Sequence, residues 1–125
     1  MRLPRTARLL RPGDFAALRA EAKRLSGQTF RVEYRASPSG VARLGMAVSR
    51  RVSKRAVVRN RIRRVIRESF RLSQATLPEF DMLLIARTHA VERTNAELRA
   101  DLQSIWRKLA ALKEAAATGT MRADS

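Results

Sequence analysis

Arginine is the side chain with the greatest capacity for chemistry in this sequence. The stretch RNRIRRVIRESFR, residues 59–71, holds six arginines in thirteen positions against one acid, Glu68. Residues 50–71 together hold ten basic side chains. A guanidinium binds phosphate oxygens through two parallel hydrogen bonds and also stacks on bases. Because like charges this dense repel one another, the segment predicts a site for a polyanion.

Residues suited to catalysis or metal binding are few and scattered. His89 is the only histidine, there is no cysteine, and the aspartates Asp14, Asp81 and Asp101 lack DxD or HExxH spacing. A protein nuclease needs an acid–base pair or a cage of carboxylates around a metal ion. We therefore predict no catalytic residues and no metal site. His89 fits a loop after a strand, and the aspartates fit helix caps and loops.

The composition predicts one folded domain with a polyanionic partner. The chain has 125 residues, 45% of them hydrophobic, and a formal net charge of +16. We expect one domain over residues 1–115, which includes a basic arm over residues 1–12, and a flexible tail over residues 116–125. The arginine-rich start also has the composition of a transit peptide, but a partly disordered arm is the simpler interpretation. No apolar run reaches the roughly 18 residues that a membrane span needs, and the lack of cysteine suits a reducing cytoplasm.

Three elements are predicted before the arginine-rich segment. GDFAALRAEAKRL has apolar residues at helical spacing from Phe15 to Leu25, which predicts an amphipathic helix that begins near Asp14. TFRVEYRA alternates apolar and polar residues, which predicts a half-buried strand. SPSG is a turn signal, so ARLGMAVS should return as a second strand, paired antiparallel with the first.

Two further elements are predicted after that segment. DMLLIA is a continuous apolar run of strand length, as expected for a strand covered on both faces. Thr94 and Glu97 have the spacing of a capping box ahead of a helix. The apolar stripe of that helix consists of Leu98, Leu102, Ile105, Trp106 and Leu109. The order of helix, strands, helix, strand and helix predicts an α+β or α/β sandwich.

Helical geometry divides the arginine-rich segment into two faces. At about 100° per residue, one side collects Val58, Ile62, Val65, Ile66 and Ser69. The opposite side collects Asn60, Arg64, Arg67 and Arg71, with Arg61 and Arg63 at its shoulders. An ordinary solvated face mixes acids and bases at i,i+4 spacing, and this one has almost no acids. A membrane-bound helix would need the apolar side for lipid, whereas here the core needs it, so nucleic acid is the favoured partner.

At these residues the sequence resembles the protein component of bacterial ribonuclease P. RNRIRRVIRESFR is similar to the basic RNR helix of that family, and RLGMAVSRRV to the strand before it. LPEFDMLLIAR resembles the strand that follows, and GDFAALR the first helix with its aromatic residue. The similarity extends over about residues 5–113.

The resemblance implies a fold and an activity. The fold would be αβββαβα, with a small mixed sheet, an additional strand near residues 22–27 and a left-handed crossover through the RNR helix, against the usual right-handed rule. The domain would bind RNA as the subunit of a ribonucleoprotein. Its catalytic RNA would remove the 5′ leader of precursor tRNA by hydrolysis with Mg²⁺ held by that RNA. The protein would need no cofactor of its own and no obligate protein partner.

The resemblance also assigns two sets of residues. Those implied to bind the catalytic RNA are Lys54, Arg55, Arg59, Asn60, Arg61, Arg63, Arg64, Arg67 and Arg71. Those implied to form a cleft for the leader are Phe15, Arg19, Tyr34, Arg50 and Arg51. Tyr34 shares its strand face with Phe30 and Val32, so a place in the cleft and a place in the core both remain open.

Other basic binding proteins remain as alternatives on physical grounds. A helix-turn-helix protein would place a second helix a short turn away from the basic one, but here LPEFDMLLIA predicts a strand. A ribosomal protein would share the charge and the fold class, and only the motif separates it from the ribonuclease P subunit.

Overall fold

A computed structural model of the chain describes residues 9–118 and shows a sheet with helices on both faces. In the described part the elements are α1 (Pro12–Glu21), β1 (Lys23–Ser26), β2 (Phe30–Ala36), β3 (Arg43–Ala47), α2 (Ala56–Ser73), β4 (Phe80–Ala86) and α3 (Asn95–Thr118). This order confirms the predicted αβββαβα arrangement. None of the described helices is long and apolar enough to cross a membrane.

The strand order of the sheet differs from the predicted pairing. The order is β1-β2-β4-β3, with β4 antiparallel to β2 and parallel to β3. The prediction that β2 and β3 pair antiparallel is therefore wrong. β4 takes the central position because its apolar run can be covered on both faces, as its burial confirms. The SPSG turn, in which Gly40 has a φ of 76°, leads the chain past β4 to its far side, and α2 supplies the crossover that parallel strands need. The left-handed sense of this crossover stays a prediction.

The first helix is shorter than its apolar spacing predicted. α1 ends at Glu21, and Ala22 already has extended backbone with φ −68° and ψ 141°. Leu25 lies in β1 opposite Val32 and packs against the main core. The strand that the resemblance implied near residues 22–27 is thus confirmed as β1. Leu25 packs against the core from this strand and not from a longer α1.

The two chain ends also depart from the predicted limits. Leu10 is buried, and its backbone N–H donates to the carbonyl of Leu44 at 2.9 Å. Of the predicted arm, Leu9 and Leu10 are therefore packed against the sheet, Pro12 begins α1, and residues 1–8 lie outside the described part. α3 continues to Thr118, so positions 116–118 of the predicted tail are helical, and residues 119–125 lie outside the described part.

Apolar side chains form one core on each face of the sheet. The larger core packs α2 and α3 against one face; its most buried members include Phe30, Val32, Leu44, Ile62, Ile66, Met82, Leu84, Leu102 and Ile105. Trp106 belongs to it, as its place on the predicted stripe implied, and its indole N–H donates to Ser69 Oγ at 2.7 Å. The smaller core packs α1 against the other face through Leu10, Leu18 and Leu83. The basic helix is thus fixed by its apolar side.

The start of α3 confirms the predicted capping box. The backbone N–H of Thr94 donates to Glu97 Oε1 at 2.9 Å, and the N–H of Glu97 donates to Thr94 Oγ1 at 3.1 Å. The bond from the Thr94 backbone lowers the pKa of Glu97 below its ordinary value. The two orphan donors of the first turn are therefore satisfied.

A buried carboxylate, Asp81, ties together three strands and α1. Arg43 donates to both of its oxygens, at 2.8 and 2.9 Å, and Arg35 donates to one of them at 3.1 Å. Arg43 also pairs with Asp14 of α1 at 3.3 Å. Burial acts to raise the pKa of Asp81, but hydrogen bonds from Arg43, Ser37 and Arg35 outweigh it, and the pKa falls below its ordinary value. The carboxylate therefore stays charged in the interior.

Candidate nucleic-acid interface

The outer face of α2 is an exposed basic surface. Asn60, Arg64, Arg67 and Arg71 are exposed, whereas Ile62, Val65, Ile66, Ser69 and Phe70 are buried. Within the described residues, Arg64, Arg67 and Arg71 make no hydrogen bond or ion pair. We call these three side chains the arginine ridge. Their guanidinium donors are open to a ligand, and no acid neutralises them from the described part of the chain.

The other three arginines of the helix contact protein carbonyls. Arg59 donates to the carbonyls of Ser53 and Lys54, both at 3.0 Å. Arg61 donates to Asn95 Oδ1 at 2.7 Å, at the start of α3. Arg59, Arg61 and Arg63 are all half-buried. Arg59 and Arg61, the two arginines of the RNR motif, therefore hold neighbouring segments in place as well as carrying charge.

Arg63 and Asn60 form a link between the helix and the end of β3. Arg63 donates to Asn60 Oδ1 at 3.1 Å and to the carbonyl of Val48 at 3.4 Å. Asn60 itself remains exposed. The link orients the amide of Asn60, whose N–H groups stay available on the surface.

The loop between β3 and α2 presents four more basic side chains. Arg50, Arg51, Lys54 and Arg55 are all exposed. Two serines shape this loop: Ser49 Oγ accepts from the backbone N–H of Arg51 at 3.2 Å, and Ser53 Oγ accepts from that of Arg55 at 3.1 Å. The loop thus continues the basic surface of α2.

The structure separates the residues assigned to the leader cleft. Phe15 packs half-buried on the α1 face of the sheet, where the absence of a side chain at Gly45 admits its ring. A Cβ at Gly45 would lie 2.5 Å from Phe15 Cε1. Arg19 follows one turn later on α1, and Arg50 and Arg51 follow closely after Ala47, which packs against the same core as Phe15. Phe15 and Arg19 therefore share the α1 side of the sheet, and Arg50 and Arg51 lie in the exposed loop after β3.

Tyr34 lies on the opposite face of the sheet. Its ring stacks on Phe80 with centroids 5.2 Å apart, and it packs against the larger core. Burial raises the pKa of its hydroxyl. Tyr34 is half-buried at the margin of the larger core, on the face of the sheet away from Phe15.

Sequence reasoning missed a group of charged residues beside Arg19. Glu33 of β2 is only 4% exposed, although strand alternation placed it on the polar face. It forms ion pairs with Arg19, Arg24 and Arg31 at 3.3, 3.8 and 3.8 Å. The alternation of β2 was the available signal, but nothing local showed that α1 covers that face or that Arg24 of the neighbouring strand β1 lies opposite Glu33.

Residues 9–118 contain no group of three or more His, Asp and Glu side chains that could hold a metal ion. His89 lies half-buried in a short 3-10 helix, Thr88–Glu92. Asp101 accepts backbone N–H groups of Gln28, Thr29 and Phe30 at 2.9–3.0 Å, which fixes the turn between β1 and β2 to α3. Asp101, like Asp14 and Asp81, therefore has structural partners in the protein.

Comparison with known proteins gives the family. A model of the ribonuclease P family matches residues 3–110. The chain belongs to the ribonuclease P protein family. Ribonuclease P protein components of Halorhodospira halophila and Idiomarina loihiensis are 43% and 44% identical over 106 and 108 residues. These alignments cover 84% and 85% of this chain and 87% and 86% of those relatives.

Solved structures of ribonuclease P proteins share the fold. The Thermotoga maritima protein has a TM-score of 0.72 and 30% identity, over 79% of this chain and 94% of that one. The Staphylococcus aureus protein has a TM-score of 0.75 and 26% identity, over 81% of this chain and 93% of that one. The chain is therefore a subunit of ribonuclease P, an endoribonuclease that acts on precursor tRNA, and has an RNA partner in that complex.

Proposed function

We propose that this subunit binds the catalytic RNA of ribonuclease P through α2 and the loop before it, and binds the 5′ leader of precursor tRNA on the α1 side. The protein assists the RNA in removing the leader. The observation that carries the proposal is the arginine ridge, whose side chains are exposed and make no hydrogen bond or ion pair with the described residues.

The residues proposed to contact the catalytic RNA divide by their role. Arg64, Arg67 and Arg71 have all their donors available for phosphates, as have the exposed basic residues Lys54 and Arg55. Asn60, Arg59, Arg61 and Arg63 combine RNA contact with the hydrogen bonds that hold the loop and the start of α3. Phosphate contacts position a protein on RNA without reading its sequence, which suits a subunit that recognises one folded RNA by its shape.

The leader side is proposed to use Phe15, Arg19, Arg50 and Arg51. Phe15 offers part of a ring surface beside exposed cations, the combination that single strands bind by stacking and charge. Tyr34 is left out of this site because it stacks on Phe80 on the other face.

Hydrolysis is proposed to take place on the RNA subunit, which would hold the Mg²⁺ that the reaction requires. The described residues offer no carboxylate cluster that fits a catalytic metal ion, so this protein supplies binding and charge. We place the complex in the bacterial cytoplasm, with the protein needing no second protein to act.

Reconstitution tests this function. The purified protein is added to bacterial ribonuclease P RNA and labelled precursor tRNA at low Mg²⁺ concentration. We expect release of the 5′ leader to depend on the protein. If neither the cleavage rate nor the affinity for precursor tRNA changes when the protein is added, the proposed function is wrong.

A further inference from the structure

We propose that a groove between α3 and the turn from β1 to β2 binds an unpaired nucleotide of the RNA subunit. Turn residues 26–29 form one wall of this groove, and the other wall is the side of α3 that carries Glu97, Asp101, Ser104 and Lys108. We call it the turn groove. The inference rests on the proposed function and extends the RNA contact beyond α2 to a second part of the surface.

The turn groove is already formed in the folded protein. Its volume is about 510 Å³, within the range of roughly 300–1,000 Å³ that small-molecule sites have. Asp101 accepts the backbone N–H groups of Gln28, Thr29 and Phe30 at 2.9–3.0 Å, which fixes the turn to the helix. A Cβ at Gly27 would lie 2.8 Å from Asp101 Oδ1, so glycine permits this close approach. Because the two walls are held together before binding, a ligand does not have to order them.

The chemistry of the walls favours a nucleobase over a bare anion or an apolar molecule. Among the described residues, no large apolar side chain lines the groove. Its two acids, Glu97 and Asp101, would repel a phosphate placed inside it. Gln28 and Ser104 contribute an amide and a hydroxyl that make no hydrogen bond with the described residues. The edge of a nucleobase carries both donors and acceptors, which match these carboxylates, the amide and the hydroxyl.

Two cations of the groove lining are suited to the phosphates of such a nucleotide. Arg93 lies before the first turn of α3, and Lys108 lies three turns further along the helix. Lys108 Nζ donates to the carbonyl of Ser26 at 3.4 Å, which leaves two of its three donors for a ligand. The guanidinium of Arg93 lies 3.8 Å from Glu97, too far for a hydrogen bond, so its donors are also available.

The turn groove adjoins the basic surface of α2 through Arg61. Arg61 donates to the carbonyl of Arg93 at 3.5 Å and to Asn95 Oδ1 at 2.7 Å. Since Arg93 also lines the groove, an RNA segment that contacts Arg61 reaches the groove without leaving the protein surface. This continuity favours a nucleotide of the same RNA over a free nucleotide. The nucleotide must be unpaired, because a paired base has its edge occupied by its partner.

Site-specific crosslinking locates the RNA segment. The chain has no cysteine, so Ala100→Cys carries a single photoreactive group at an exposed position of the groove. Gln103→Cys, exposed on α3 and outside the groove lining, is the matched control. In the reconstituted holoenzyme we expect Ala100→Cys to crosslink to one short unpaired segment of the RNA subunit, and Gln103→Cys not to crosslink there. If both variants crosslink alike, or if Ala100→Cys reaches only tRNA or no RNA, the proposal is wrong.

Filling the groove tests whether a nucleotide enters it. Ser104→Phe places a ring in the groove, and Gln103→Phe places the same ring on the neighbouring position outside it. We expect Ser104→Phe to weaken binding of the RNA subunit by roughly tenfold, as for the loss of one or two hydrogen bonds, and Gln103→Phe to bind like wild type. Equal affinities of the two variants would overturn the proposal. Urea unfolding of both shows whether the fold is retained.

Lys108→Ala tests the phosphate contact even if Ser104→Phe does not fold, because Lys108 is exposed. Loss of one phosphate contact with a single strand should flatten the plot of log affinity against log salt by about 0.7. Arg107→Ala removes the same charge from an exposed position outside the groove and should keep the wild-type slope. A wild-type slope for Lys108→Ala would contradict the proposal.

An abasic residue at the crosslinked nucleotide identifies the group that enters the groove. The affinity loss caused by Ser104→Phe should disappear with this RNA, because no base is left to displace, and a loss that persists would refute base binding. Wild-type protein serves as the check on the proposed function. If wild-type protein does not bind the RNA subunit, the proposed function itself fails, whereas normal wild-type binding with unaffected groove variants refutes only the turn groove.

Discussion

At the scale of single residues, the open donors of Arg64 and Arg67 lead to a prediction about RNA binding. A phosphate contact releases condensed counterions, so Arg64→Ala or Arg67→Ala should flatten the plot of log affinity for the RNA subunit against log salt by about 0.7–0.9. Neither change should lower stability, because both side chains point away from the core and lack protein partners. Binding measured at several salt concentrations, together with urea unfolding, checks this expectation.

Ile66→Ala is the matched contrast on the same helix. Ile66 is fully buried, so its truncation should cost about 2–5 kcal/mol of unfolding free energy while leaving the salt dependence of the folded protein as in wild type. Arginine variants that unfold more easily but keep the wild-type salt slope would mean that the ridge faces protein.

Phe15 packs beside Gly45, and we expect its ring to bind the leader as well. Base stacking on an aromatic ring contributes roughly 1–3 kcal/mol per base, so Phe15→Ala should weaken holoenzyme binding of precursor tRNA and leave mature tRNA nearly unaffected. The ring also packs beside Gly45, and a thermal melt of the variant separates the two roles. Equal losses for both RNAs would assign Phe15 to the core alone.

At the scale of elements, Asp81 joins α1 and three strands through Arg35 and Arg43. Its pKa lies below the ordinary value of 3.8 in the folded protein. It therefore contributes stability above about pH 4, and this contribution is lost as pH falls through the lower folded pKa. Asp81→Asn should cost about 3–5 kcal/mol at neutral pH, since it leaves buried guanidiniums without their counter-charge.

The pH dependence provides the check on that role. Urea unfolding at neutral pH and at successively lower pH should show a smaller gap between wild type and Asp81→Asn as the wild-type carboxylate becomes protonated. If the difference in unfolding free energy between wild type and Asp81→Asn stays constant through the acid range, the lost stability comes from the shape of the side chain and not from its charge.

At the scale of the whole molecule, the chain carries +16 charges and no described cluster of catalytic acids and bases. We expect the isolated protein, cleared of contaminating nuclease, to release no leader from precursor tRNA over a range of Mg²⁺ concentrations. Release by RNA-free protein would contradict this, and loss of that activity in His89→Ala would identify a protein catalyst. The comparison is the same assay with ribonuclease P RNA added.

The sequence by itself determined the features that depend on local periodicity. The 3.6-residue repeat of α2 fixed which side of the helix is buried and left Arg64 and Arg67 outside, because a strongly amphipathic helix has only one way to bury its stripe. The capping box of Thr94 and Glu97 and the burial of β4 followed in the same way. The motif around residues 59–71 was specific enough to indicate the family.

Only the tertiary structure decided which elements meet. Strand alternation cannot tell whether β3 pairs with β2 or with β4, since either pairing buries the same face of β3. The pairing is decided by β4, whose apolar side chains on both faces favour a position inside the sheet. The same limit hid the ion pairs of Glu33 with Arg19 and Arg24, because these three residues come from three different elements. Likewise, Arg61 and Arg64 are alike in sequence, and only the position of Asn95 at the start of α3 shows that one of them holds the protein together.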